Sequence, residues 1–172
     1  EVNAKVAAAA AQAVATLADA TVTYATTQCD MAANRDYWDD DKQIYTTGFN
    51  PGQGAENTAV VGRVTADDGS LRLLLVNYAC HPTTLAWDNT LLSPDFVGAL
   101  REVVEHEQGA PCCFYQAPCG DLGPKDGFVG DTAVADRNGK QVGHAALSAL
   151  YSMGPPQTDF AYTGPVVSGA TI

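Results

Sequence analysis

Residues 3–18 are mostly alanine with Val6, Val14 and Leu17 interspersed, which predicts a helix whose small side chains can pack closely on a sheet. Residues 21–27, Thr-Val-Thr-Tyr-Ala-Thr-Thr, are β-branched and aromatic and predict a strand. Strands are also expected over 58–65 and 71–79. They are joined across Asp67-Asp68-Gly69, where Asp-Gly supplies the positive φ that a tight hairpin requires. Because residues 71–78 are almost uninterruptedly apolar, that strand is expected to be covered on both faces. Ser93-Pro94-Asp95 then offers a capping hydroxyl, a proline for the first turn and an early carboxylate. Phe96, Val97, Leu100, Val103 and Val104 recur on one face behind it until Gly109 stops the helix. A short strand over 111–116, a helix over 133–152 despite Gly139 and Gly143, and a last strand at Phe160-Ala161-Tyr162 complete the pattern.

Strand, helix, strand, helix in that order predicts an α/β fold. The expected form is a mixed sheet with a βαβ unit over 71–116 and a β-hairpin, with helices covering the sheet. Residues 1–172 read as one domain, with no internal repeat and no linker that divides them. Residues 29–56 lack any period, and a stretch that long in a compact domain points to function. Residues 117–130 read as a Gly/Pro-rich loop.

Composition narrows the partners. A hydrophobic fraction of 46% suits a packed core, while nine Lys and Arg against twenty Asp and Glu give a net charge of −11. Such a charge disfavours phosphate backbones, so no nucleic acid partner is expected. No apolar run approaches the roughly 18 residues that cross a bilayer, so no integral membrane segment is expected either. The five cysteines are an odd number and form no Cys-x-x-Cys pair, which removes the commonest structural zinc signature. Cys112 and Cys113, adjacent on a strand, point to opposite faces.

Ligands of open α/β sheets gather beyond the carboxyl ends of the strands. Two loops follow parallel strands there: Cys80-His81-Pro82-Thr83-Thr84, and residues 117–124 with Gly120 and Asp121. His81 and the Gly120-Asp121 turn should therefore face one cleft. His81 could ligate zinc or act as a base, although a single histidine also reads as a strand-end cap, since catalytic zinc takes three protein ligands. Arg35, between Asn34 and Asp36, could clamp a polar substrate group or form a loop ion pair. Asp39-Asp40-Asp41 lacks the spacing of a calcium loop and reads as a solvated turn. His106 and His144 read as surface or packing residues. Cys119 opposite His81 could be an acyl-transfer nucleophile, although free cysteines are more often inert.

Four segments in this order resemble the catalytic N-terminal domain of the neutral/alkaline, non-lysosomal ceramidase family. They are Asn34-Arg35-Asp36-Tyr37-Trp38, residues 76–83 ending in His81-Pro82-Thr83, Leu92-Ser93-Pro94-Asp95, and residues 116–124, which are similar to the family's Gly-Asp-Val-Ser-Pro loop. The resemblance implies a zinc-dependent amidase that splits an N-acyl sphingoid base, or a similar lipid amide, into fatty acid and amine. It implies that His81 is a metal ligand, that Arg35 and Gly123 lie at the catalytic centre, and that Asn34 and Asp121 lie in the substrate site. It also implies a secreted or extracytoplasmic setting. Gly123 stands where the family carries serine, and the family's further histidine, glutamate and tyrosine ligands have no counterpart here. The chain is therefore expected to be an internal part of a larger catalytic domain that needs the remainder of its parent chain. A relative without catalysis that binds lipid or glycan, and a Cys-His hydrolase using Cys119 and His81, are the alternative expectations.

Overall fold

A computed structural model describes residues 2–156 and residue 158 of this chain. Helix α1 (Val2–Ala15) is followed by strand β1 (Thr21–Gln28) and by three short strands, β2 (Ala32–Asn34), β3 (Asp36–Asp39) and β4 (Ile44–Thr47). Next come β5 (Thr58–Thr65), β6 (Leu71–Tyr78), α2 (Phe96–Gln108), β7 (Cys112–Gln116), β8 (Leu122–Pro124) and α3 (Thr132–Ser152). The main sheet has the order β1-β5-β6-β7, antiparallel except for the parallel β6–β7 pair. The mixed α/β sheet, its hairpin and its βαβ unit are thus as the pattern predicts. The strand expected at Phe160 to Tyr162 lies outside the described residues.

The β5–β6 turn closes as its Asp-Gly implies. Gly69 takes φ +81° and donates its N–H to the Ala66 carbonyl, while the Asp68 carboxylate receives the Ser70 N–H. Because α2 crosses over between parallel strands, Leu74 to Tyr78 run beside Cys112 to Gln116, and the loops after both strands leave at one edge. Helix α2 begins later than Ser93-Pro94-Asp95 suggests. Asp95 itself is the N-cap and accepts the Phe96 N–H, while the Ser93 hydroxyl receives the Asp95 N–H. Gly109, at φ +64° in the left-handed region, ends the helix.

The core lies between one face of the sheet and helices α2 and α3. Ala59, Val61, Leu74, Val76 and Tyr78 meet Phe96, Leu100, Val104, Val142 and Ala146 there, all at most 2% exposed. Phe96 stacks edge-on against Phe114 at 5.7 Å between ring centroids. Two expectations differ from the fold. Residues of the second face of β6, such as Leu73 and Leu75, are only half-buried, and Val22 and Tyr24, in line with them across β5, are exposed, so the apolar run of β6 is not covered on both sides. Helix α1 forms but buries no residue, because its methyl groups offer too little apolar area to hold it on the sheet.

The aperiodic stretch over 29–56 also contains order that periodicity misses. Strand β2 pairs with β8, Ala33 lying opposite Gly123, and β3 pairs with β4. Three- and four-residue strands are too short to display a period of two.

Candidate functional site

The site is assembled by β2 pairing with β8. Arg35 donates its backbone N–H to the Asp121 carbonyl at 2.8 Å, and the Asn34 side chain donates to Asp121 Oδ2 at 3.1 Å. Asn34 Oδ1 in turn receives the Asp36 N–H. The Arg35 guanidinium donates twice, from Nε and Nη2, to the Gly120 carbonyl oxygen at 3.2 and 3.0 Å. Among the described residues Arg35 forms no ion pair with Asp36 or with Asp39-Asp40-Asp41, the loop partners its position suggested. Arg35 pins the 119–121 turn, and its Nη1 has no partner among the described residues.

His81 stands on the other side of the same turn. Its backbone N–H donates to the Leu122 carbonyl at 3.1 Å, and Leu122 donates back to Cys119 at 3.0 Å. The expectation that His81 and the Gly120-Asp121 turn share one edge is met. Ring atom Nδ1 lies 2.8 Å from the Cys119 carbonyl oxygen, and since a carbonyl can only accept, Nδ1 carries the proton. The lone pair is then on Nε2, which has no protein partner among the described residues. A backbone carbonyl that holds one ring nitrogen as a donor turns the other nitrogen into an available ligand.

The Cys119 sulfur lies 3.2 Å from Nδ1 and receives the Gln116 side-chain N–H at 2.9 Å. With Nδ1 protonated toward the carbonyl, Nδ1 is not the acceptor for the thiol proton. Burial pushes the neighbouring Cys80 thiol well above its ordinary value; Cys119 and Asp95 add to the rise and Arg35 opposes it. Cys29 and Cys112 are raised by burial as well, and all five cysteines are free.

Gly123 is buried between these groups. A Cβ at this position would find two atoms within 4 Å beyond its chain neighbours: Arg35 Cδ at 3.4 Å and Thr83 Oγ1 at 3.6 Å. A pocket of about 200 Å³ opens on one side, lined by Asn34, Arg35, Phe49, Gly123 and Phe128. A second, of about 340 Å³, is lined by Thr83, Leu85, Trp87, Asp95 and Phe128. Phe128 lines both, and its ring lies 6.1 Å from that of Trp87. Asp95 braces the second pocket by accepting the Leu85 N–H at 3.0 Å.

The sequence places Thr83 in the His81-Pro82-Thr83 segment without giving it a role, and it does not single out the Trp87–Phe128 pair. Nothing periodic marks them, and only the Thr-Thr pair directly after His81-Pro82 hinted that a hydroxyl would follow the histidine. The remaining sequence candidates lie elsewhere. His106 and His144 are exposed on α2 and α3. Asp39 pairs with Lys42 and caps its own turn, and Asp40 receives the Trp38 indole N–H. Among the described residues no three His, Cys, Asp or Glu side chains could hold a metal ion together. The donor set fits one imidazole ligand and lacks the rest. No helix among those residues is long and apolar enough to cross a membrane.

No protein-family model matches the chain, and neither does any curated protein. Solved structures do match in fold. Neutral ceramidase from Pseudomonas aeruginosa superposes with a TM-score of 0.64 at 18% identity, and a ceramidase complexed with C2 superposes with 0.65 at 19% identity. Each match covers 83% of this chain and 24% of the other, so the chain spans about a quarter of the length of those structures. The chain has the fold of a ceramidase-like region.

Proposed function

We propose that this chain is part of a zinc-dependent amide hydrolase acting on N-acyl sphingoid bases or similar lipid amides. His81 would supply one metal ligand through Nε2, and the other ligands would come from residues outside these 172. The observation that carries this reading is the bond between His81 Nδ1 and the Cys119 carbonyl, which leaves Nε2 free at the carboxyl edge of a ceramidase-like sheet. A bound zinc supplies Lewis-acid polarisation of a carbonyl and a water of lowered pKa.

The chain's own residues position the substrate. Arg35, held by Gly120, would offer Nη1 to an oxygen of the sphingoid head group, while Asn34 and Asp121 fix each other and the turn that carries Gly123. The amide would lie alongside the turn that carries Gly123, next to Thr83. Hydrolysis joins a water oxygen to the carbonyl carbon, breaks the C–N bond and leaves a proton on the departing nitrogen.

The test is zinc content and N-acyl-sphingosine hydrolysis of the full-length protein beside His81→Ala. The variant should lose bound zinc and at least about 100-fold in hydrolysis. Equal zinc content in both would overturn the reading. Thiol alkylation should spare the activity, and its abolition would restore Cys119 as the nucleophile.

A further inference from the structure

Resting on the amide-hydrolase reading, we infer that Thr83 is a catalytic residue whose hydroxyl donates a hydrogen bond to the substrate carbonyl oxygen as it gains charge. Attack on an amide carbon turns the carbonyl oxygen into an oxyanion, and fixed donors aimed at that oxygen lower the barrier most. The place for that oxygen is beside Gly123, on the edge that carries His81. Thr83 Oγ1 lies 3.6 Å from the point a Cβ on Gly123 would take, and Arg35 Cδ, at 3.4 Å, is the other atom within 4 Å of that point. One of them is apolar carbon and the other is a hydroxyl.

The hydroxyl is held in place yet only loosely engaged. Thr83 N–H donates to the His81 carbonyl at 2.9 Å, and the Phe128 N–H donates to the Thr83 carbonyl at 3.0 Å, so the backbone on both sides is tied down. The side-chain oxygen has one long contact to the His81 carbonyl, 3.5 Å, at the limit of a hydrogen bond. Its proton can turn to a better acceptor at little cost. Thr84, next along the chain, shows the opposite case: its hydroxyl is fully buried and receives the Asn138 amide at 3.2 Å, which makes it a packing group. Two residues beyond His81, Thr83 thus brings a hydroxyl to the same edge as the free Nε2. The hydroxyl keeps its proton throughout, so the step requires no further reactant.

The geometry provides its own control. A serine at 123 would place its Cβ in ordinary van der Waals contact with its surroundings and its hydroxyl beside that of Thr83, so Gly123→Ser can supply the same donor from the opposite wall. The experiment uses zinc-loaded full-length protein and N-acyl-sphingosine, with Thr83→Val, Thr83→Ser and the double variant Thr83→Val with Gly123→Ser. Thr83→Val should lower kcat about 100-fold with KM changed little, and should weaken binding of a phosphinic analogue of the tetrahedral intermediate by a similar factor. Thr83→Ser should retain activity within about 5-fold, the double variant should regain most of the loss, and zinc content should be equal throughout. Full kcat and unchanged analogue affinity in Thr83→Val, or a double variant no better than Thr83→Val, would overturn the inference while leaving the hydrolase reading intact. A wild-type protein that hydrolyses no N-acyl amine would sink both.

Discussion

Tyr78 shows how one side chain governs the site without touching it. Its ring is fully buried at the end of β6, its hydroxyl accepts the Ala32 N–H at 2.9 Å, and it donates to the Cys29 carbonyl at 2.7 Å. Burial accordingly drives the phenol well above its usual range. The clamp ties the start of β2 to the central sheet, and β2 carries Asn34 and leads directly into Arg35. Tyr78→Phe keeps the ring but leaves a buried N–H and a buried carbonyl without this partner. It should cost about 1–3 kcal/mol in urea unfolding. A loss below about 0.5 kcal/mol would mean that the backbone groups find other partners.

At the level of elements, the two glycines in α3 are explained by the helix they face. A Cβ on Gly139 would run into the Phe96 carbonyl oxygen and come within 2.8 Å of the Leu100 nitrogen and 2.9 Å of Ala99 Cβ. On Gly143 it would approach the Leu100 carbonyl and Val103 at 3.2 Å. Each glycine costs the helix about 1 kcal/mol relative to alanine, offset here by the close approach of α2. Gly139→Ala should therefore destabilise the fold by about 1–3 kcal/mol in spite of better helix propensity, because backbone cannot yield. Gly143→Ala, meeting looser contacts, should cost markedly less. Equal unfolding midpoints for the two variants would contradict this account of the α2–α3 contact.

Across the whole molecule, buried thiols tie stability to alkaline pH. Burial raises Cys29, Cys80 and Cys112 from the ordinary value of 9.0, Cys112 to about 12. A raised value means that the folded chain keeps its protons where the unfolded chain has lost them. The contribution is fully present below pH 9 and declines as pH climbs toward 12. Melting temperature should thus be flat in these groups from pH 7 to 8 and fall from pH 9 upward, with a shallower fall in Cys112→Ala. An identical alkaline slope in that variant would remove Cys112 from the account.

On this same scale, local chemistry and three-dimensional assembly divide the molecule unevenly. The hairpin at Gly69, the βαβ unit and the edge shared by His81 and the 120–124 turn were legible in the chain alone. Alternation, a Gly-bounded helix and right-handed crossover logic act over short distances that a linear pattern records. Strands β2 and β8, the carbonyl that sets the His81 tautomer, the double bond from Arg35 to Gly120 and the Thr83 hydroxyl over Gly123 were not legible. Each joins residues about 40 to 90 positions apart, and hydrogen bonds of that reach leave no period in the sequence. Which face of β6 would be covered was likewise settled only by where α2 and α3 pack, since an apolar run is the same read from either side.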